Sequence, residues 1–237
     1  MPPSELRKEA REALAGNWKK GVYIALAYGL IAFILSIVKN IFKDVSIPNM
    51  FMNIIVFIIT VPISFGMISS FIKLKRSEKV SAFDFLEDGF KNFSKAWKIE
   101  LWTSLKLLIP IICLIFVIIL LTVVFSAIVI TKTKFSYILG IIITILFIAC
   151  IVYIVIRSLL YALSQYIAID NPEMTAKDCV LKSQEIMTGN RGNLFLLELS
   201  FIGWAILSVL SLGIGSLWLF PYMQVAFVCF YDHLKNK

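Results

Sequence analysis

Three ionisable side chains, Lys106, Arg157 and Glu198, lie inside or at the edge of long apolar stretches of this 237-residue sequence. A charged group left in membrane hydrocarbon is costly, which makes such residues functional candidates by default. All three would lie near the same end of their helices, where an Arg157–Glu198 or a Lys106–Glu198 ion pair could form. The functional interpretation is a gate, or a site for an anion or a lipid head group. The alternative is that these side chains extend to the interface and that one ion pair is structural.

The residue types that usually carry catalysis are scarce. His233 is the only histidine and follows the last apolar stretch, so no histidine-based triad or metal cluster is expected within the apolar regions. The segment Gly189-Asn-Arg-Gly192 matches neither the P-loop nor the dinucleotide-binding pattern. The four cysteines show no metal-binding or redox spacing: Cys113, Cys150, Cys179 and Cys229. We therefore expect no catalytic residue, no metal, no cofactor and no enzymatic activity.

The elements that must position these residues are long runs without charge. Residues 21–38, 45–72, 107–131 and 135–156 contain no charged residue, and Glu198 is the only one in 192–231. A bilayer crossing needs about 20 mostly apolar helical residues. The composition, with 59% hydrophobic and 16% charged residues, also lies far from that of soluble domains, which are about 25% charged. The sequence therefore predicts an all-α, polytopic membrane protein whose main partner is the lipid bilayer.

Six membrane helices are predicted, arranged as three hairpins in one integral membrane domain over residues 1–237. The last apolar stretch would be about 60 Å long as one helix, too long for one crossing. Gly213-Ile-Gly215-Ser216 offers a turn that divides it. Pro62 should kink the second helix. The predicted helices cover approximately residues 21–42, 50–75, 101–130, 135–169, 194–212 and 214–231.

The distribution of lysine and arginine predicts the orientation. The segments on one side of the six helices hold 17 of these residues, and those on the other side hold four. Because cytoplasmic flanks collect Lys and Arg, both termini are expected in the cytoplasm. The same bias accounts for the net charge of +8, so we expect no nucleic-acid partner.

A short amphipathic segment precedes each predicted hairpin, at Ser4–Gly16, Ser81–Trp97 and Thr175–Gly189. The second and third begin with a residue pattern like that of a capping box, and the first and third end in glycine, which suits the left-handed residue that closes a helix. The apolar face predicted for the second comprises Phe83, Leu86, Phe90, Phe93 and Trp97. These features suggest a threefold repeat of residues 1–75, 76–170 and 171–237, and chance similarity among apolar, charge-flanked segments is the alternative.

Two placements of these cytoplasmic helices remain open. Their apolar faces could lie in the inner interface, with Lys91, Lys95 and Lys98 reaching anionic lipid head groups. Alternatively, the faces cover the cytoplasmic ends of the bundle, because a short connected helix buries its apolar side on its nearest neighbour.

The segment Ser4-Glu-Leu-Arg-Lys-Glu-Ala-Arg-Glu-Ala-Leu-Ala-Gly-Asn-Trp18 resembles the start of a family of bacterial integral membrane proteins, the domain of unknown function 975. Four further stretches fit this resemblance: Phe83–Phe90, Asp170-Asn-Pro172, Leu199–Trp204, and Pro221-Tyr222 ahead of Phe230-Tyr231. The chain is also distantly similar to the membrane region attached to some glycerophosphodiester phosphodiesterases. The resemblance implies a multi-pass protein of the bacterial cytoplasmic (inner) membrane, and it supplies no activity and no site residues. Family members often carry a proline in the fourth helix, which residues 151–169 lack.

These observations favour a non-enzymatic transport component, or an accessory protein in envelope or lipid homeostasis. The alternative is a membrane scaffold or regulatory protein that recruits partners through its cytoplasmic amphipathic helices.

Overall fold

The computed structural model describes residues 2–41 and 46–235, and within these ranges every regular element is helical. A 3-10 turn spans Leu159–Tyr161. The α-helices are α1 Pro3–Leu14, α2 Trp18–Ile41, α3 Ser46–Lys75, α4 Asp84–Lys91, α5 Phe93–Thr131, α6 Lys134–Ser158, α7 Ser164–Asp170, α8 Ala176–Met187, α9 Arg191–Leu199, α10 Ile202–Leu210 and α11 Ser216–Lys235. Part of the predicted turn at Lys39–Asn49, residues 42–45, lies outside the described ranges.

Five helical stretches are long and apolar enough to cross a membrane, as expected of a membrane protein: Trp18–Ile41, Met50–Lys75, Phe93–Ile130, Lys134–Asp170 and Arg191–Leu210. Large apolar side chains cover their outer surfaces, as at Ile109 and Ile130. An exposed apolar surface of this extent marks contact with lipid or protein rather than water. Helix α11 is not among the five, and the polar side chains of Gln224 and Asp232 lie within it. The sixth crossing stays a prediction.

The main core lies at the end of the bundle where α1, α4 and α8 pack against the long helices. Helix α1 buries Leu6, Ala10 and Leu14, spaced four residues apart along one face, against α11 and its neighbours. Gly16 and Gly189 follow α1 and α8 with φ of +79° and +87°, as the glycine positions predict. The amphipathic helices α1 and α8 thus cover this end of the bundle.

The second amphipathic segment differs from the prediction. The helix expected over Ser81–Trp97 is divided at Asn92, and its last residues begin α5 instead. Phe83 and Phe90 are exposed, whereas Phe85 is fully buried. The reason is the contact between α4 and α3: Phe85 and Gly89 face α3, which turns the other phenylalanines away.

The close contact between α3 and α4 depends on two glycines. A Cβ atom added at Gly66 would lie 1.8 Å from the carbonyl oxygen of Phe85, and one added at Gly89 would lie 2.2 Å from that of Pro62. The two backbones therefore touch where no other residue fits. Beside this contact, the carboxylate of Asp88 accepts hydrogen bonds from Ser69 and Lys73, which fixes the register of α4 on α3.

Pro62 lies inside α3 and leaves the carbonyl of Ile58 without its usual helical donor. The indole N–H of Trp97 on α5 donates to that carbonyl at 3.1 Å. A neighbouring helix thus satisfies the carbonyl that Pro62 frees.

The fourth predicted helix, expected to run unbroken to residue 169, is interrupted although it contains no proline. Ser183 of α8 enters the break: its hydroxyl donates to the carbonyl of Leu160 at 2.9 Å and accepts from the N–H of Leu163 at 3.2 Å. A side chain inserted into the helical hydrogen-bond ladder is a recognised cause of such a break. The fifth predicted helix is likewise divided, between α9 and α10 at Ser200.

The hairpin of α5 and α6 has a second, small core of its own. Val117, Val124 and Ile143 are buried between the two helices and form a cluster separate from the main core. Lys132, with φ of +51°, ends α5 in the turn that joins them. This outer part of the hairpin is held mainly by contacts between its own two helices.

We expect Gly66→Ala to lower stability by about 1–3 kcal/mol, the usual cost of forcing extra volume into a packed interface. Alanine normally stabilises a helix relative to glycine. A decrease in the free energy of unfolding would therefore be due to the contact with α4. The control is Gly29→Ala in α2, where an added Cβ meets nothing within 4 Å. Thermal unfolding in detergent measures both, and equal melting temperatures would contradict the close approach.

Candidate functional site

A network of charged side chains joins helix ends at the end of the bundle that carries the main core. At its centre is Asp170, the last residue of α7, whose side chain is only 4% exposed. The guanidinium of Arg76 binds both carboxylate oxygens, at 2.7 and 2.9 Å. Lys235 donates to Oδ2 at 2.7 Å, and the Tyr231 hydroxyl donates to the same oxygen at 3.1 Å.

The network extends through Asp232 on α11. Arg76 Nη2 lies 3.1 Å from Asp232 Oδ1, and Lys75 Nζ lies 2.9 Å from Oδ2. Lys75 also lies 3.2 Å from Glu9 of α1. The hydrogen bonds that Arg76 donates to Asp170 raise the pKa of Arg76 above its usual value, more than partial burial lowers it. Arg76 stays charged and binds both Asp170 and Asp232. The network therefore connects α1, α3, α7 and α11 and stabilises their packing.

The ammonium group of Lys95 makes hydrogen bonds within the protein and is not free to bind a lipid head group. Its ammonium donates to the carbonyls of Ala168, Asn171 and Pro172, at 3.0, 2.8 and 2.8 Å. These carbonyls lie at and just beyond the C-terminus of α7, where a cation is favoured. Of the three lysines considered for contact with lipid head groups, Lys91 and Lys98 remain exposed.

Lys106 and Arg157 come together at a cavity of about 490 Å³ between α5 and α6. Its lining residues include both cations and no acidic residue. The Nε atom of Arg157 is buried and has no hydrogen-bond partner within the described chain. The other lining residues are Ile109, Pro110, Cys113, Ala149, Cys150 and Tyr153.

Glu198 lines a different cavity, of about 440 Å³, together with Glu100 of α5. No lysine, arginine or histidine lines it. Among the described residues no ion pair within 4.0 Å joins Glu198 to Arg157 or to Lys106. The ion pairs considered from the sequence are therefore not formed, because the two cations and Glu198 border separate cavities.

Sequence reasoning missed Glu100. It lies just before the charge-free run of α5, so it was grouped with the polar flank rather than with the membrane helix. Its signal is helical spacing: Ile99, Glu100 and Thr103 line the same cavity. The same cavity contains polar groups from the broken end of α6, among them Tyr161 and Gln165.

The acidic cavity does not resemble a metal centre. Within residues 2–41 and 46–235, no group of three or more His, Cys, Asp or Glu side chains is placed to hold a metal ion. Two carboxylates with neutral amides and hydroxyls instead form an environment suited to a monovalent, hydrogen-bonding cation. The basic cavity suits an anion.

These features define an all-helical protein with membrane-capable helices and two cavities of opposite charge. The chain matches the model of the family described as protein of unknown function (DUF975) over residues 1–237. The chain therefore belongs to the DUF975 family, as the resemblance indicated. Comparison with curated proteins and with solved structures finds no match.

We expect Arg76→Gln to destabilise the protein by about 1–3 kcal/mol, because it removes two hydrogen bonds from the buried Asp170 carboxylate while Lys235 and Tyr231 remain. Lys8→Gln is the control, since the Lys8–Glu12 pair is 4.0 Å apart with side chains 73% and 67% exposed. Such surface pairs contribute little. Thermal unfolding of both variants tests this, and a Lys8→Gln effect as large as that of Arg76→Gln would contradict it.

Proposed function

We propose that this protein is a non-enzymatic membrane component of transport or of envelope and lipid homeostasis. It acts by binding the phosphate of a phospholipid head group at the cavity lined by Lys106 and Arg157. The supporting observation is that α5 and α6 bring these two cations to one cavity without an acidic residue in its lining.

The charges of this cavity favour an anionic ligand. Two cations facing the same space repel each other, and a phosphate placed between them relieves that repulsion. Phosphate oxygens also match the donor geometry of a guanidinium, and the Nε–H of Arg157 has no other acceptor among the described residues. Basic pockets between membrane helices on the cytoplasmic side are a known form of head-group site.

The depth of the two cations agrees with a head-group site. Lys106 precedes the end of α5 at Thr131 by 25 residues, which is about 37 Å of helix. Arg157 follows the start of α6 at Lys134 by 23 residues, about 35 Å. The hydrocarbon layer is about 30 Å thick. With the turn at residues 132–133 at one boundary, both cations lie just beyond the other, at the level of lipid phosphates.

The cellular setting is part of the same proposal. We place the protein in a bacterial cytoplasmic membrane, with α11 as a sixth crossing and both termini in the cytoplasm. The excess of Lys and Arg in the segments around α1, α4, α8 and the end of α11 supports this orientation. The basic cavity then faces the inner leaflet.

Labelling of single cysteines tests the orientation. In a chain with its four native cysteines replaced by alanine, Glu173→Cys and Lys134→Cys place a thiol at exposed positions at opposite ends of the bundle. We expect an impermeant maleimide to label Lys134→Cys in intact cells and Glu173→Cys only after permeabilisation. The reverse pattern would overturn the orientation.

Phospholipid binding tests the function. We expect Lys106→Gln/Arg157→Gln to bind fluorescent phosphatidylglycerol in detergent about tenfold or more weakly, because charge-assisted hydrogen bonds are lost. Lys98→Gln, which removes an exposed lysine of α5 outside the cavity, should bind like the original protein. Unchanged binding by the double variant would refute the head-group site. Recovery of a chemically altered lipid would refute the non-enzymatic assignment.

A scaffold that recruits a partner through α4 is the second candidate. The observation that favours it is that Phe83 and Phe90 are 54% and 47% exposed at the edge of α4. Under this alternative, a strain carrying polar substitutions at both positions loses function, whereas one carrying Lys106→Gln/Arg157→Gln keeps it. The head-group proposal expects the opposite result.

A further inference from the structure

We propose that the cavity lined by Glu100 and Glu198 binds a primary ammonium group, so that the ligand is a phospholipid with an amine head group. The proposal rests on the proposed function for the phosphate half of the ligand. It adds a second subsite of opposite charge and thereby names the lipid class.

The charge of the cavity calls for a cation. Glu100 comes from α5 and Glu198 from α9, and no basic side chain is among the lining residues. Neither carboxylate takes part in an ion pair within 4.0 Å anywhere in the described ranges. Two unpaired carboxylates at the edge of a membrane are expensive unless a positive group joins them.

A second observation points to a ligand that donates hydrogen bonds. Tyr161 lines the cavity and is only 4% exposed, and its hydroxyl has no hydrogen-bond partner in the part of the chain that is described. The buried side-chain oxygen of Gln165 also lacks one. Leaving a buried polar atom without a partner is unfavourable. A primary ammonium has three N–H donors and can serve such acceptors together with the carboxylates.

Other cations fit less well. A quaternary ammonium has no N–H and would leave the oxygens of Tyr161 and Gln165 unsatisfied. Calcium takes six to eight oxygen ligands and magnesium a strict octahedron, whereas no group of three or more His, Cys, Asp or Glu side chains in the described ranges is placed to hold a metal ion. The lining therefore favours a primary amine.

The two cavities adjoin along both helices of the hairpin. On α5, Thr103 lines the acidic cavity and Lys106, nearly one turn later, lines the basic one. At the end of α6, Arg157 lines the basic cavity and the next residue, Ser158, lines the acidic one. Residues that line the two cavities are thus neighbours on both helices, and the proposed ligand extends from one cavity to the other.

The order of the subsites matches the order of groups in an amine-bearing phospholipid. Glu100 lies six residues before Lys106, about 9 Å farther from the hydrocarbon along α5. In such a lipid the phosphate is attached next to the glycerol and the amine lies at the free end. The acyl chains then remain in the bilayer while the amine points toward the water.

Competition binding with the purified full-length protein tests the inference. The probe is fluorescent phosphatidylglycerol, displaced by phosphatidylethanolamine or by phosphatidylcholine. We expect phosphatidylethanolamine to bind the original protein at least tenfold more tightly than the other two. Glu100→Gln/Glu198→Gln should remove this preference while phosphatidylglycerol still binds, and the exposed Glu173→Gln should preserve the preference.

Each other outcome is decisive. A preference for phosphatidylethanolamine that survives Glu100→Gln/Glu198→Gln, or equal binding of phosphatidylcholine, would overturn the ammonium subsite. If free phosphoethanolamine displaces the probe at the same concentration as phosphatidylethanolamine, the bound phosphate and amine need not belong to a lipid. That result would overturn the assignment of a phospholipid as the ligand. If the double variant unfolds, as thermal unfolding reveals, the single variant Glu198→Gln at the exposed rim serves instead. Unchanged phosphatidylglycerol binding by Lys106→Gln/Arg157→Gln refutes the phosphate site instead, which separates the two failures.

Discussion

The hydrogen bonds of the Asp170 carboxylate hold together the helices at the end of the bundle that contains the main core. It is almost completely removed from solvent and accepts hydrogen bonds from Arg76, Tyr231 and Lys235. These partners come from helices that are remote in sequence, so the interaction exists only when the whole bundle is assembled. A buried carboxylate without such partners is strongly unfavourable. The network therefore favours one arrangement of α3, α7 and α11 and rejects others.

That arrangement determines the cavities. Helix α7 ends at Asp170. Its start follows the break at which the Ser183 hydroxyl hydrogen-bonds to the backbone. The break places Tyr161 and Gln165 beside Glu100 rather than along a straight continuation of α6. The acidic cavity is thus a product of the interrupted helix. The basic cavity lies on the regular side of the break, where α5 and α6 still pack along each other.

Local features were predictable from the sequence, and features that depend on distant partners were not. The charge-free runs indicated membrane helices, and Gly16 and Gly189 take the left-handed conformation that their positions implied. The break in the fourth helix was missed because its cause, Ser183, comes from another helix. The face of α4 was misassigned because the spacing of its phenylalanines does not reveal the close contact of Gly89 with α3, which sets the orientation of the helix.

The candidate site was predicted in part. The sequence alone shows a charged residue within an apolar run, which is why it revealed Lys106, Arg157 and Glu198. Their grouping was not, since the rotation of each helix about its axis depends on packing across the bundle. Glu100 was hidden among the charged residues in the first turns of α5, where nothing local separates a cavity residue from a solvated one.

The separate core of the α5–α6 hairpin has a consequence for cooperativity. Val117, Val124 and Ile143 pack with each other and not with the main core. Opening this outer segment costs only the contacts between two helices, whereas opening the other end breaks the network around Asp170. The chain therefore contains two units of different local stability. The more labile unit is the one farthest from the charged end. Cys150 connects it to the basic cavity, because this residue packs against the small core and also lines that cavity.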